Sequence, residues 1–192
     1  METVLVVVYS RTGRSLRLAQ RLCNQLGWSL GEIREIEPRR GAGGRLRRLW
    51  DSLLRRCPGI EYRGPSPRDF DLVVLISPLW AYRIAAPMRS FLTLSSGSMP
   101  EVAVISVAPS RGASGAVAEV GKRTGRVPRL SAAFTRDEID DGSCTPRLFS
   151  FANTLRRMPR TPRHQRPSAG LPLQSEATRG IEVSQGGHRR AT

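Results

Sequence analysis

The sequence predicts an α/β protein with a doubly wound parallel sheet. Three segments are short, rich in β-branched residues and almost continuously apolar, namely TVLVVVY at residues 3–9, FDLVVLIS at 70–77 and EVAVISVA at 101–108. Such segments are typical of strands that are buried on both faces, as they are in a parallel sheet. Helical patterns separate them, so right-handed crossovers should connect each strand to the next.

Two further segments alternate polar and apolar residues more regularly, as edge strands do. They are WSLGEIREIE at residues 28–37 and RVPRLSAAFT at residues 126–135. The prediction is therefore a sheet of five parallel strands. In sheets of this kind, ligands bind beyond the carboxyl ends of the strands, where the winding direction reverses.

The first two predicted helices follow the first two strands. SLRLAQRLCNQLG, at residues 15–27, places its apolar residues on one face and ends in Gly27, at the position that glycine favours after a helix. RLRRLWDSLLRR, at residues 45–56, has the same period, with arginines on its polar side.

Three more helices follow the later strands. APMRSFLTL, at residues 86–94, has Pro87 in its first turn, where proline is favoured. The other two helices are expected over residues 114–123 and 146–157. These positions complete the alternation of strands and helices that defines the fold class.

Length and composition favour one globular domain with a tail. The chain has 192 residues, of which 39% are hydrophobic, enough for one core. We predict a domain over residues 1–158 and a basic tail, rich in Pro, Gly and Arg, over residues 159–192 that should be disordered. No apolar run approaches the roughly 20 residues that span a bilayer, and the start lacks a signal-peptide pattern, so we expect a cytoplasmic protein.

The cysteines and histidines do not predict a metal site or a catalytic triad. Cys23, Cys57 and Cys144 are too few and too widely spaced for a disulfide framework or a zinc knuckle, and idle thiols are the simpler interpretation. Both histidines, His164 and His188, lie in the predicted tail. We therefore predict no metal ligand and name no catalytic residue.

The chain is strongly basic, with 31 Lys and Arg residues against 16 Asp and Glu residues and a formal net charge of +15. Nearly all the basic residues are arginine, and Lys122 is the single lysine. Such a bias reflects a GC-rich coding sequence as readily as selection for charge. It is therefore a weak indication of nucleic-acid binding.

The loop after the first predicted strand combines hydroxyls, a glycine and a helix start. Its residues are Ser10, Arg11, Thr12, Gly13, Arg14 and Ser15. These groups, together with the free N–H groups of a helix N-terminus, can form a nest for a phosphate. The spacing fits neither GxGxxG nor GxxxxGK[ST]. Taken alone, a Ser before a helix is more often an ordinary N-cap.

Two more loops lie at the same predicted edge. The third strand is followed by Pro78, Leu79, Trp80, Ala81 and Tyr82, whose aromatic residues could form the wall of a site for a flat ligand. Trp80 could instead simply cap the core. The loop after the fourth strand, residues 108–115, is polar and glycine-rich and could approach a ligand closely.

Together these loops resemble the flavodoxin family. YSRTGRS resembles that family's phosphate loop, (S/T)-x-T-G-x-(S/T), and SPLWAYRIAAPMRSFL resembles its Trp- and Pro-containing segment after the third strand. The resemblance implies a three-layer flavodoxin-like sandwich with strand order 2-1-3-4-5 and a non-covalent FMN. Phosphate contacts would come from Ser10, Thr12, Gly13 and Ser15, with Arg11 and Arg14 exposed nearby. The isoalloxazine would be lined by Pro78, Leu79, Trp80, Ala81 and Tyr82, and closed by Ser110, Arg111 and Gly112.

The chain departs from the family in three ways. Arg14 stands where the family often has Asn, the loop after the fourth strand has no aromatic residue, and the chain is basic where low-potential flavodoxins are acidic. Positive charge near a flavin stabilises the negative charge gained on reduction and raises its potential. The basic balance therefore favours two-electron reductase chemistry.

The function that the resemblance implies is electron transfer or oxidoreductase activity. Electrons would pass from a nicotinamide or protein donor to a redox partner or a small acceptor such as a quinone, with the redox chemistry supplied by FMN. Two alternatives stay open: a flavodoxin-like fold without FMN, and an Arg-rich protein that binds nucleic acid or an acidic partner.

Overall fold

A mostly parallel sheet lies at the centre of the computed structural model. The structure describes residues 3–36, 59–108 and 114–159. The strands are β1 (Val4–Tyr9), β2 (Ser29–Glu35), β3 (Ile60–Arg63), β4 (Leu72–Trp80), β5 (Arg83–Ile84), β6 (Glu101–Ala108) and β7 (Ser131–Thr135). Their order is β3-β2-β1-β4-β6-β7, with β5 paired to β4. β3 and β5 are antiparallel to their neighbours, and the other pairs are parallel.

Helices cover both faces of the sheet. They are α1 (Arg14–Leu26), α2 (Ala86–Leu94), α3 (Ser114–Thr124), α4 (Arg136–Asp140) and α5 (Thr145–Arg157). The apolar faces of α1 and α5 pack on one side of the sheet and those of α2 and α3 on the other. The fold is thus a three-layer α/β/α sandwich, as the alternating pattern predicted.

The strand β1 shows why the predicted strands are continuously apolar. Val4, Val6 and Val8 belong to the core under α1 and α5, whereas Leu5 and Val7 belong to the core under α2 and α3. Because successive side chains of a strand point to opposite faces, a strand covered on both sides must be apolar at every position. All six residues of β1 are buried.

The sheet has seven strands where five were predicted, and it is mixed because β3 and β5 are antiparallel to their neighbours. The two missed strands, β3 and β5, are only four and two residues long, too short to show a period of two. Because β3 pairs with β2, β2 is not the edge strand that its alternation suggested. The strand predicted over residues 126–135 begins only at Ser131, because Gly125 adopts a φ of 68° and Pro128 follows.

The strand β4 is longer than predicted. It continues through Pro78 and Leu79 to Trp80, so these residues end a strand and do not form a loop. Although Pro78 has no N–H to donate, its carbonyl accepts a hydrogen bond from the Ala85 N–H at 3.1 Å. The change moves the predicted loop to the two-residue turn between β4 and β5.

The outer strands β2 and β3 are held together by a tyrosine and a glycine. A Cβ at Gly31 of β2 would collide with the ring of Tyr62 on β3, so the absence of a side chain lets the ring lie flat on the strand. The same ring lies 4.9 Å from the Phe91 ring of α2, and burial raises the pKa of Tyr62 to about 12. Ion pairs join Arg34 to Glu32 along β2, and another joins the charged residues of β3.

Several predictions fall outside the described residues. They include the helix over residues 45–56, the loop after β6 at residues 109–113 and almost all of the tail over residues 159–192. The domain boundary at residue 158 and the disorder of the tail stay predictions. None of the helices in the described part of the chain has the length and apolar character needed to cross a membrane.

Candidate functional site

The carboxyl ends of β1 and β4 bring two of the predicted loops together. These strands are neighbours and parallel, so the segments that follow Tyr9 and Trp80 lie at the same edge of the sheet. β6 is the next parallel strand, and its carboxyl end lies at this edge too. The candidate residues that follow β6, namely Ser110, Arg111 and Gly112, lie outside the described residues.

The start of α1 is open to an anion. Gly13 is the N-cap residue, with a φ of 84°, and no side chain within the described ranges caps the helix. The first turn contains no acidic residue. Because the first N–H groups of a helix have no partner within it, an uncapped N-terminus is a ready anion site. Only glycine adopts this left-handed φ without strain, which explains Gly13 in the loop.

A buried hydroxyl supports this interpretation. The Oγ of Ser10 is buried and has no hydrogen-bond partner among the residues that the structure describes, although a hydroxyl seldom stays unpaired in a protein interior. A phosphate oxygen at the helix start would give this hydroxyl an acceptor. Ser15 is also buried, whereas Thr12 is exposed at the tip of the loop. The residues present therefore fit a phosphate group.

Arg11 and Arg14 have different surroundings. Arg11 is exposed, as predicted, but the guanidinium of Arg14 is half-buried and lies 2.6 Å from the carboxylate of Asp140. Arg17 pairs with the same carboxylate. The hydrogen bond from Arg14, helped by Arg17, holds the pKa of Asp140 below its ordinary value. Arg14 is therefore only partly exposed, and Asp140 neutralises its charge.

The helix α4, which the sequence analysis missed, supplies this carboxylate. It is only five residues long and begins with a capping box. The Thr135 side chain accepts from the Glu138 N–H at 3.3 Å, and the Glu138 carboxylate accepts from the Thr135 N–H at 2.9 Å. The pattern T-x-x-E at residues 135–138 is a sequence signal of a helix start that could have revealed α4.

The turn between β4 and β5 is strained. Trp80 pairs with Arg83, so only Ala81 and Tyr82 connect the strands, and their φ values are 49° and 60°. A two-residue hairpin with two positive φ values is a type I′ turn, which normally contains Asn-Gly. Each non-glycine residue in this region costs about 1–2 kcal/mol. Such strain persists where the surrounding structure holds it, often at functional sites.

The aromatic residues of this hairpin divide between the core and the surface. Trp80 is half-buried and makes an edge-to-face contact with Tyr9, with ring centroids 6.3 Å apart. Tyr82 is 75% exposed. Leu79 is buried in the core under α2 and α3, so it supports the site from behind. Trp80 therefore packs on the core, as one interpretation of the sequence predicted, and it also lies at the carboxyl edge of the sheet, as the other predicted.

Tyr9 and Glu35 are two site residues that the sequence analysis missed. The Tyr9 hydroxyl donates a hydrogen bond of 2.5 Å to the Glu35 carboxylate, which joins the carboxyl ends of β1 and β2. The signal for Tyr9 was its position as the last residue of an apolar strand, directly before the hydroxyl-rich loop. Its ring braces Trp80, as described above.

The described residues form neither a metal site nor a reactive cysteine. Within residues 3–36, 59–108 and 114–159, no group of three or more His, Cys, Asp or Glu side chains is placed to hold a metal ion. Cys23 and Cys144 are free thiols, and burial raises the pKa of Cys23 to about 11. A thiol with so high a pKa is a poor nucleophile at neutral pH.

Comparison with solved structures gives the fold family. No protein-family model and no curated protein sequence matches the chain. The structure is similar to a flavoprotein of Lactobacillus acidophilus in complex with FMN, with TM-score 0.62 and 19% identity, over 74% of this chain and 99% of that one. A candidate flavoprotein of Bacteroides eggerthii has TM-score 0.62 and 17% identity, over 79% and 99% of the two chains.

A third similar structure carries the family's name. It is the Fusobacterium nucleatum flavodoxin bound to flavin mononucleotide, with TM-score 0.50 and 8% identity, over 81% of this chain and 98% of that one. At such low identities the similarity concerns the fold alone. The protein has the flavodoxin-like fold, an α/β sandwich built on a mostly parallel sheet.

Proposed function

We propose that the protein binds FMN non-covalently at the carboxyl edge of its sheet and acts in electron transfer or as an FMN-dependent oxidoreductase. The observation that carries the proposal is the buried Ser10 hydroxyl, which has no hydrogen-bond partner in the described part of the chain. It lies beside the uncapped start of α1, at the same edge as the Trp80 hairpin. Solved proteins of the same fold from Lactobacillus acidophilus and Fusobacterium nucleatum contain FMN.

The loop after β1 would hold the phosphate. The N–H groups at the start of α1 and the hydroxyls of Ser10, Thr12 and Ser15 are the donors available there. Hydrogen bonds to a charged acceptor are the stronger kind, worth about 1.5–3 kcal/mol each. Arg14 would add less than its charge suggests, because Asp140 already neutralises it.

The hairpin would hold the flavin ring. Pro78, Trp80, Ala81 and Tyr82 lie along the end of β4 and the turn, and the exposed Tyr82 ring has free area for stacking. The loop at residues 109–113 would close the other side. Leu79 contributes by packing beneath the hairpin.

FMN, when bound, supplies one- and two-electron redox chemistry, and the chain supplies binding, orientation and charge. Arg83 directly follows the turn and is not ion-paired within the described residues, so its charge is available to the site. A positive charge there would favour reduction of the flavin. We propose a nicotinamide or protein donor and a redox partner or small acceptor, such as a quinone, with no protein acid or base in the reaction.

Titration with FMN tests the proposal directly. The protein should quench FMN fluorescence at one flavin per chain, and the bound flavin should bleach with dithionite. Riboflavin, which lacks the phosphate, should bind about tenfold more weakly or worse, because it cannot use the donors of the loop after β1. A protein that purifies without colour and takes up no added FMN would rule the proposal out.

A further inference from the structure

The helix α3 holds the strained hairpin in place. Glu119, in the middle of α3, accepts a hydrogen bond from the Ile84 N–H of β5 at 3.3 Å. One turn earlier, Gly115 lies against the backbone of the turn, since a Cβ added there would be 2.5 Å from the Tyr82 carbonyl oxygen. Two points of α3 thus contact the backbone of the hairpin from the same side.

The Glu119 carboxylate is itself fixed by two arginines. The Arg89 guanidinium of α2, which is fully buried, lies 3.8 Å from it, and that of Arg123, one turn further along α3, lies 3.5 Å from it. Arg123 also donates a hydrogen bond of 2.9 Å to the Thr93 hydroxyl of α2. The side chain of Glu119 is 13% exposed. The carboxylate therefore connects β5, α2 and α3 in a nearly dry environment.

The hairpin needs such support because its own sequence opposes its conformation. Ala81 and Tyr82 both adopt positive φ values, which neither residue prefers. Pairing of β5 with β4 involves only two residue pairs, too few to impose a strained turn by itself. The contacts from Glu119 and Gly115 add the support that the two residue pairs of β5 are too few to provide.

We propose that Glu119 is a positioning residue of the FMN site and that Gly115 is required beside it, so that together they set the conformation of the Trp80–Arg83 hairpin. The proposal rests on the proposed function for its effect on FMN, but the hairpin itself can be tested without flavin.

The contacts of Glu119 and Gly115 with the hairpin are called the clamp below. Amide exchange at Ile84 measures the clamp in the flavin-free protein. In Glu119→Ala, the Ile84 N–H loses its acceptor, and its exchange should become about tenfold faster or more, relative to the control Glu101→Ala. Glu101 also pairs with a nearly buried arginine, Arg129, at 2.8 Å, but it lies at the opposite end of the sheet. Both variants lose one partner of a shielded ion pair, so stability alone does not separate them.

Glu119→Gln distinguishes positioning from charge balance. Its amide oxygen can still accept from the Ile84 N–H, so Ile84 protection and FMN affinity should stay near those of the original protein even though the carboxylate charge is lost. Equal Ile84 exchange in Glu119→Ala and Glu101→Ala would overturn the proposal. The proposal would also be overturned if the Ile84 amide exchanged as fast in Glu119→Gln as in Glu119→Ala.

Gly115→Ala tests the clamp without touching the carboxylate. The new Cβ must push the Tyr82 carbonyl away, so the amide resonances of Ala81, Tyr82 and Arg83 should shift. FMN affinity should fall about tenfold in Gly115→Ala, and we expect the same loss in Glu119→Ala. Unchanged hairpin resonances in Gly115→Ala would contradict the proposal. If the unaltered protein fails to bind FMN, the proposed function fails, while the exchange and resonance data still decide the clamp.

Discussion

The guanidinium of Arg14 and the carboxylate of Asp140 form an ion pair at 2.6 Å between residues 126 positions apart in the chain. The pair joins the first residue of α1 to the last residue of α4. It also places a negative charge beside the proposed phosphate loop. The net electrostatic effect of Arg14 on a bound phosphate therefore depends on Asp140.

Replacement of these two residues should change FMN affinity in opposite directions. Asp140→Asn frees the guanidiniums of Arg14 and Arg17, so FMN should bind a few-fold more tightly at low salt. Arg14→Asn leaves a carboxylate near the phosphate and should weaken binding. Flavin fluorescence titrations at two salt concentrations would measure both effects, which should shrink as screening increases. Tighter binding in Arg14→Asn would contradict this account.

The same ion pair should contribute to stability in a pH-dependent manner. The hydrogen bond from Arg14 lowers the pKa of Asp140 in the folded protein, whereas the unfolded carboxyl returns to about 3.9. The pair therefore stabilises the fold above about pH 4, and this contribution is lost as pH falls through the lower, folded pKa.

Urea unfolding across pH measures this contribution. The midpoint difference between the original protein and Asp140→Asn should be constant from about pH 5 to 7 and disappear at the acid end. Asp69→Asn is the matched control, since Asp69 is exposed and has no ion-pair partner among the described residues. A midpoint difference between the original protein and Asp140→Asn that grows as the pH falls would contradict this prediction.

Removal of the unpartnered Ser10 hydroxyl should separate stability from binding. In Ser10→Ala, the free energy of unfolding without flavin should stay equal or rise by up to about 1 kcal/mol, because a buried unsatisfied group is lost. FMN affinity should fall about tenfold or more, because a hydrogen bond to the phosphate is lost.

Ser106→Ala is the control for Ser10→Ala. Its Oγ is also buried and without a hydrogen-bond partner in the described structure, but the side chain faces the core within β6 and is fully buried. It should gain stability in the same way and keep its FMN affinity. Equal affinity of Ser10→Ala and Ser106→Ala would remove Ser10 from the phosphate site.

The two residues of the strained turn form another matched pair. Ala81→Gly and Tyr82→Gly both remove the strain of a positive φ, because glycine adopts this conformation freely. Each should raise the free energy of unfolding by about 1 kcal/mol, measured by urea unfolding without flavin. Only Tyr82→Gly removes an aromatic ring, so only this variant should weaken FMN binding. Equal affinity of both variants would show that Tyr82 does not stack on the flavin.

The charge of Arg83 should raise the reduction potential of bound FMN. One unit charge at about 4 Å is worth roughly 1–4 kcal/mol near a protein surface, and about 1.4 kcal/mol corresponds to 30 mV for a two-electron couple. Arg83→Gln should thus lower the potential by roughly 20–80 mV. Arg68→Gln, an exposed arginine just before β4 at the opposite edge, should leave it unchanged.

The sequence was sufficient to predict the parts of the fold whose pattern is local and long. β1, β4 and β6 are almost continuous apolar runs, and α1 and α5 show a full helical period over 13 residues each. The hydroxyl-rich loop was found because it directly follows the first of these strands. These features depend on burial and periodicity, which the sequence records position by position.

The remaining features depend on contacts between distant residues. β5 has only two residues, which pair with β4 and contact α3, so no local pattern indicates it. The left-handed Ala81 and Tyr82 have no sequence signal, since such turns usually contain Asn or Gly. The neutralisation of Arg14 could not be foreseen without α4, because its partner lies far along the chain.

The short strand β3 also bears on how the molecule behaves in concentrated solution. Without it, the seven residues of β2 would present unpaired N–H and C=O groups to which a strand of a second molecule could add. β3 satisfies those groups and then ends after four residues, and its charged Glu61 and Arg63 pair with each other. A short, charged outer strand is a poor template for aggregation, so four residues protect this side of the sheet against self-association.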